Sequence, residues 1–263
     1  MDMQASRADL IEQTKRITDF AEDNLKQLGE RCQTEELMQD FYLGLMRRQS
    51  VFSIDFFSIL NQGLHKTNIS LLILSRCIID DYIRLTYVQS QPDPFESLVK
   101  MNADAYKKII ANLEKLADVN EKIGMGKVPY YPTKELVQET KEKFKTKEKN
   151  KKYFDNIEQF KLKSFPTTRS IIESFPLDKL GGSMNRAFYI WRHLSDYVHY
   201  SNCSFELEIN PDNYGANMNY MQECIFYSYK VIKLSFEFFE KRDSLKLIDR
   251  NNLEYFYSNA DID

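Results

Sequence analysis

Apolar residues recur along most of this chain at the three-and-four spacing of an amphipathic helix. Leu10, Ile17, Phe20, Ala21, Leu25 and Leu28 set an opening helix over residues 4–30. Thr34-Glu35-Glu36 reads as a helix start, with Leu37, Phe41, Leu43 and Leu45 behind it, and a separate helix is predicted over about 50–64. Thr67 and Asn68 can cap a strongly apolar helix to about residue 89, which Pro92 and Pro94 end. The pattern resumes over 95–119 through Leu98, Met101, Ala105, Ile109, Leu113 and Leu116. Gly124 to Pro132 reads as a loop, and a charged helix begins at Thr133 and runs toward Tyr153. Pro166, Pro176 and Gly181-Gly182 make 161–183 irregular, with one short helix at about 168–174. A helix over about 184–200 is followed by a turn at Asn210 to Gly215 and a long final helix over 216–241. The sum is an all-α, multi-helix bundle of roughly eight helices, forming a single helical domain over 1–263. The charged stretch at about 121–165 reads as an insertion in it, and the tail after Asp243 is expected to be loosely ordered.

Composition supports this class. Eight Gly and 7 Pro in 263 residues give too little punctuation for many short strands and turns. Aromatic packing rests on 16 Tyr and 18 Phe with a single Trp, and Tyr220, Phe226, Tyr227, Tyr229, Phe236, Phe238 and Phe239 crowd the last long helix as core or dimer interface. The net charge of −3 makes the whole molecule a poor electrostatic match for nucleic acid, so polyanion binding requires a local patch, and no DNA-specific signal is present. Cys32, Cys77, Cys203 and Cys224 are scattered without a C-x-x-C pair, which disfavours a zinc site or disulfide scaffold and fits reduced thiols in the cytoplasm. The most hydrophobic segment, Ile69 to Val88, contains Arg76, Asp80, Asp81 and Arg84, so it reads as a buried helix and no membrane span is expected. The N-terminus lacks the apolar run of a signal peptide.

Candidate chemistry concentrates in Trp191-Arg192-His193-Leu194-Ser195-Asp196-Tyr197-Val198-His199. On a helix, Ala187, Ile190, Trp191, Leu194 and Val198 form the core stripe, while Arg192, Asp196 and His199 fall on the other side. Arg192 and His199 are seven positions apart and point within about 20° of each other. Arginine can hold a phosphate bidentately and histidine can move protons near neutral pH. The plainer alternative is a solvated face, with Arg192 paired to Asp196 at i, i+4. His193 points in a third direction, so the two histidines do not form an i, i+4 chelate.

Arg192-x6-His199, with polar His193 directly after the arginine, resembles the Arg-x4-6-His signature of the HEPN superfamily of helical domains. That resemblance implies a metal-independent endoribonuclease, often dimeric, in stress or phage defence. It implies that His199 acts as acid and base on a ribose 2′-hydroxyl and that Arg192 stabilises the phosphate. Arg76-x3-Asp80 in the apolar helix, with Ser195-x3-His199 later, is also similar to a family of uncharacterised helical bacterial proteins that carry Arg-x3-Glu and Ser-x3-His. Asp80 stands where that family has Glu, and the resemblance makes Arg76, Asp80 and Ser195 supporting residues, joined by Asp196 of the same strip. Arg76, Asp80 and Arg84 also form an i, i+4, i+8 charge ladder, read as a structural ion-pair network. A sharper expectation is that Asp80 or Asp81 meets Arg192 or His199 across a shared cleft.

Seven lysines between Lys141 and Lys152, against Glu142 and Glu148, make a basic run beside Phe144, Tyr153 and Phe154. Lys145, Lys149 and Lys152 are the candidate RNA contacts, although alternate-residue spacing spreads such lysines around a helix. No nucleotide-binding glycine pattern and no cofactor signature is present. The leading reading is RNA processing or RNA binding. The alternative is a non-enzymatic helical interaction module that uses the same strip as a polar cleft or homodimer contact.

Overall fold

The computed structural model describes residues 6–29, 36–62, 69–123, 131–176, 178–195 and 212–258. Among the described residues it contains nine α-helices, one 3-10 helix and a two-stranded hairpin. The all-α class is as expected, with about ten helices in place of eight. Two compact units divide the chain. Met1–Gln89 with Thr168–Asp263 form unit 1, and Ser90–Thr167 forms unit 2. The charged segment expected as an insertion at 121–165 therefore belongs to a larger unit that opens at the Pro92–Pro94 break.

Unit 1 begins with α1 (Arg7–Leu28), whose first turn is closed by a capping box. Ser6 Oγ accepts from the Asp9 N–H at 3.2 Å and the Asp9 carboxylate accepts from the Ser6 N–H at 3.0 Å. Gly29, at φ +46°, ends the helix in the left-handed region that glycine tolerates. One helix, α2 (Leu37–Asn61), stands where two were expected, because Gln49, Ser50 and Ser53 are buried members of the packed face and not a break. α3 (Ile69–Ser90) follows. α6 (Thr168–Glu173) packs beside α7 (Lys179–Ser195), and α8 (Asp212–Asp243) packs on α1 and α2. The helix bounds correct the turn expected through Gly215, since α8 already begins at Asp212.

The core of unit 1 joins both ends of the chain. Leu10 and Ile17 of α1, Met46 and Phe56 of α2, Ile79 and Ile83 of α3, and Val231 and Phe236 of α8 are essentially sealed from solvent. Thr14, Ser53, Ile78, Ile225 and Ser228 help line a cavity of about 10 Å³ where these four helices meet, room for a single water. The segment after Asp243, expected to be loose, is docked. The Asn24 amide donates to the Ile248 carbonyl and its Oδ1 accepts from the Ile248 N–H, both at 2.9 Å. A short helix, α9 (Leu253–Ser258), then buries Leu253 and Tyr257, with the Tyr257 ring 5.0 Å from both Phe226 and Tyr229.

Unit 2 opens with α4 (Pro94–Lys122), where Asp93 caps by accepting the Glu96 N–H at 3.0 Å and Pro94 occupies the first turn. α5 (Lys134–Thr146) is capped by Thr133, but the helix expected to reach Tyr153 stops at Lys147, whose backbone is extended at φ −72°, ψ 120°. A 3-10 turn (Glu148–Tyr153) leads into the antiparallel strands β1 (Phe154–Asn156) and β2 (Lys161–Leu162). Tyr106, Phe144, Tyr153, Phe154 and Phe160 gather into one aromatic cluster, with ring centroids 4.8 Å apart for Tyr106–Phe144 and 5.3 Å for Phe154–Phe160. Residues 90–167 hold sixteen lysines, no arginine and twelve acids, a net of +4, which leaves −7 on the rest of the chain. No helix among the described residues is long and apolar enough to cross a membrane.

Candidate functional site between α3 and α7

α7 starts earlier than the glycine pair suggests. The Asp178 carboxylate accepts from the Gly181 N–H at 2.7 Å, and its carbonyl accepts from the Gly182 N–H at 2.8 Å, which satisfies donors that the first turn leaves open. A side chain at Gly181 would run into the Pro176 carbonyl, so this position takes glycine for close approach. Further along, Ala187, Ile190 and Leu194 are sealed in the core, as the apolar stripe predicts, and Met184 joins them. Arg192 is exposed on the last turn. His193 is half-buried, its ring 4.8 Å from that of Tyr220 and its Nε2 3.5 Å from Asn217 Oδ1. Asp196, Val198 and His199 lie outside the described residues.

Two of the predicted residues come together across the helices. Arg76 Nε on α3 donates to Ser195 Oγ on α7 at 2.9 Å. The Arg76 guanidinium also lies 4.7 Å over the Trp191 ring, the cation–π arrangement of a partly desolvated arginine. Ser195 Oγ in turn donates to the Trp191 carbonyl at 2.7 Å, so one hydroxyl ties the arginine to the preceding turn. Tyr82 and Ser183 hydroxyls, 3.3 Å apart, join the same two helices nearer the start of α7. Trp191 enters the site as a flat support for Arg76, a role its place in the apolar stripe concealed.

The acids of α3 face other partners. Asp80 pairs with Arg84 at 2.9 Å, so that half of the charge ladder forms while Arg76 reaches to α7 instead. Asp81 is buried against α2, where its Oδ2 meets Arg48 Nε at 3.2 Å and accepts from Gln49 Nε2 at 2.8 Å. Burial drives its pKa up to about 7, overcoming the attraction of Arg48, with Asp80 adding to the rise and Arg84 and Gln49 opposing it. Neither acid pairs with Arg192 among the described residues, and the His199 half of that expectation lies outside them; the contact the described residues make between α3 and α7 here is the Arg76–Ser195 link. Arg48 and Gln49 carried no motif that would have flagged them. Also on α7, Arg186 holds the Glu223 carboxylate of α8, with Nε 3.0 Å from Oε2.

The basic run of unit 2 is interleaved with acids. Lys145 Nζ lies 3.9 Å from Glu158, and Lys141, Lys143 and Lys151 pair with Glu114, Glu139 and Glu148. Lys152 sits over the Phe95 and Tyr153 rings at 5.7 and 5.3 Å, and Lys149 is exposed. Among the described residues no three His, Cys, Asp or Glu side chains gather as a metal site. Cys224 is buried, which pushes its thiol pKa far up and away from nucleophilic use.

No family model matches this chain, and neither a curated protein nor a solved structure matches it. Fold and site together describe an all-α protein whose most chemically loaded junction is the α3–α7 contact at Arg76, Trp191 and Ser195.

Proposed function

We propose that the protein is an RNA-processing or RNA-binding protein of HEPN-like type, a metal-independent endoribonuclease that uses Arg192 and His199. The observation carrying this reading is the Arg76–Ser195 hydrogen bond. It joins the helix that bears Arg76-x3-Asp80 to the segment that bears Arg192 and His199, the two stretches with family resemblance. Arg192, exposed one turn before Ser195, is open to a phosphate from solvent. In this mechanism His199 takes the proton of a ribose 2′-hydroxyl, whose oxygen attacks the adjacent phosphorus. Arg192 stabilises the charge gathering on the phosphoryl oxygens. The bond from phosphorus to the 5′-oxygen breaks, that oxygen leaves as a hydroxyl by taking the proton back from the His199 imidazolium, and a 2′,3′-cyclic phosphate remains. Lys145, Lys149 and Lys152 are the proposed RNA contacts of unit 2, and a homodimer is the proposed assembly.

A second reading, a helical interaction module, is favoured by Tyr189 of α7, an aromatic side chain left 56% exposed. The deciding experiment is RNA cleavage by purified protein in chelator, wild type beside His199→Ala. Cleavage that depends on His199 and leaves cyclic phosphate ends supports the ribonuclease. Absence of cleavage on varied RNAs moves the assignment to the interaction module.

A further inference from the structure

Arg76 is a cation placed where cations are costly. Its helix buries Leu72, Ile79 and Ile83, and Arg76 itself is only partly exposed. A guanidinium drawn out of water needs a countercharge or a full set of acceptors. The acids on its own helix are committed elsewhere, Asp80 to Arg84 and Asp81 to Arg48 and Gln49. Arg48 and Arg186, which are more exposed, each hold a carboxylate. Arg76 has no carboxylate partner among the described residues. Its Nε is spent on Ser195 Oγ and its plane is stacked on Trp191. The four N–H donors of its two terminal nitrogens have no acceptor among the described residues.

A guanidinium pinned through Nε and stacked on an indole has lost most of its freedom before any ligand arrives. Its terminal fork is then preorganised for two parallel hydrogen bonds to an oxyanion. Arg192 stands three residues before Ser195 on the same helix, about 4.5 Å of rise, close along α7 to the hydroxyl that holds Arg76.

We propose that Arg76, held by Trp191 and Ser195, is itself a phosphate-binding residue and takes a phosphodiester of single-stranded RNA neighbouring the one at Arg192. The proposal rests on the RNA reading above and assigns Arg76 a direct contact in place of a supporting one. Trp191 and Ser195 are its positioning residues.

The test uses the full chain carrying His199→Ala, so that bound RNA stays intact, and a labelled single-stranded oligonucleotide titrated by fluorescence anisotropy over a range of salt. Arg76→Gln is expected to weaken binding on the order of tenfold at low salt and to reduce the salt slope by about 0.7, the loss of one phosphate contact. Arg76→Lys, which keeps the charge without the fork, should recover the slope while affinity stays below that of Arg76. A purely structural arginine would not move the salt slope, so an unchanged slope in a folded Arg76→Gln protein overturns the proposal while the RNA reading stands. If Arg76→Gln does not fold, dicarbonyl labelling of Arg76 in the unsubstituted chain decides. Protection by saturating oligonucleotide supports the contact, and equal labelling with and without RNA removes it. Failure of the parent chain to bind RNA at all removes both this proposal and the reading beneath it.

Discussion

Arg76 and Ser195 are separated by 119 positions, yet the Nε of one donates to the hydroxyl of the other at 2.9 Å. The same hydroxyl donates to the Trp191 carbonyl, so Ser195 accepts from α3 while remaining tied to its own helix. Ser195→Ala removes that acceptor and leaves a partly desolvated guanidinium with one hydrogen bond fewer. The expected cost is about 1–2 kcal/mol of stability, read as a lower midpoint in chemical denaturation at unchanged slope. Ser195→Thr, which keeps the hydroxyl, should lose less. A fully stable alanine variant would mean that the link contributes nothing to holding α3 on α7.

Asp81 makes stability depend on pH in an unusual direction. Its pKa in the folded protein is about 7, against about 3.9 for an unfolded chain. The native state therefore retains a proton that the unfolded chain releases, and this contribution to stability is full below about pH 4. It is lost progressively as pH rises to about 7, and is gone above that. Asp81→Asn keeps the shape and a hydrogen-bonding oxygen for Gln49 but cannot ionise. It should flatten this part of the profile and raise the melting temperature at pH 8, by about 2–4 °C for each kcal/mol recovered. Melting curves from pH 4 to 8 check it, and parallel profiles for the two proteins would show that Asp81 is ionised throughout.

The two neighbouring glycines of α7 should respond oppositely to alanine. Gly181→Ala drives a methyl into the Pro176 backbone carbonyl, so the α6–α7 junction has to shift. A loss of about 2 kcal/mol or more is expected. Gly182→Ala meets nothing within 4 Å at a helical position. It should gain up to about 1 kcal/mol from the lower entropy of the unfolded chain. Thermal melts of the two single variants settle both signs at once.

Removal of residues 244–263 strips Asn24 of both its bonds to Ile248 and uncovers the side chains beneath Leu253 and Tyr257. A markedly less stable protein is expected, with unit 1 cut faster by protease at low concentrations. A truncated chain with undiminished protease resistance would mean that the tail is only an ornament on the bundle.

Periodicity revealed the elements whose burial follows their own helix, such as α1, α3 and α4. It failed where a tertiary partner overrides local pattern. Arg47-Arg48-Gln49-Ser50 looks like a polar interruption, but Gln49 and Ser50 lie inside, and Gln49 donates to a buried carboxyl on the next helix. The strands of unit 2 span three and two residues, too few for alternation to register. The tail has little apolar rhythm before Leu253, and the asparagine that holds its backbone at Ile248, Asn24, carried no signal of that role. At the candidate site, spacing picked out Arg76 and Ser195 separately, and it placed Trp191 in the core stripe. That the three form one contact depends on how α3 and α7 pack, which is not written in either segment alone.

The interleaved layout of unit 1 has a consequence for the order of events on the ribosome. Unit 2 is one continuous stretch, so everything it packs against itself has emerged once its last residue is made. Unit 1 has no such independence. Its central cavity is closed by Thr14 and Ser53 from the first part of the chain and by Ile225 and Ser228 from the last. Until α8 is synthesised, the parts of α1 and α2 that it covers stay exposed. At about 5–20 residues per second, that interval lasts roughly 8–30 seconds. The nascent chain is thus at its most exposed when more than half of it has already been made, which is when chaperone capture during translation should peak.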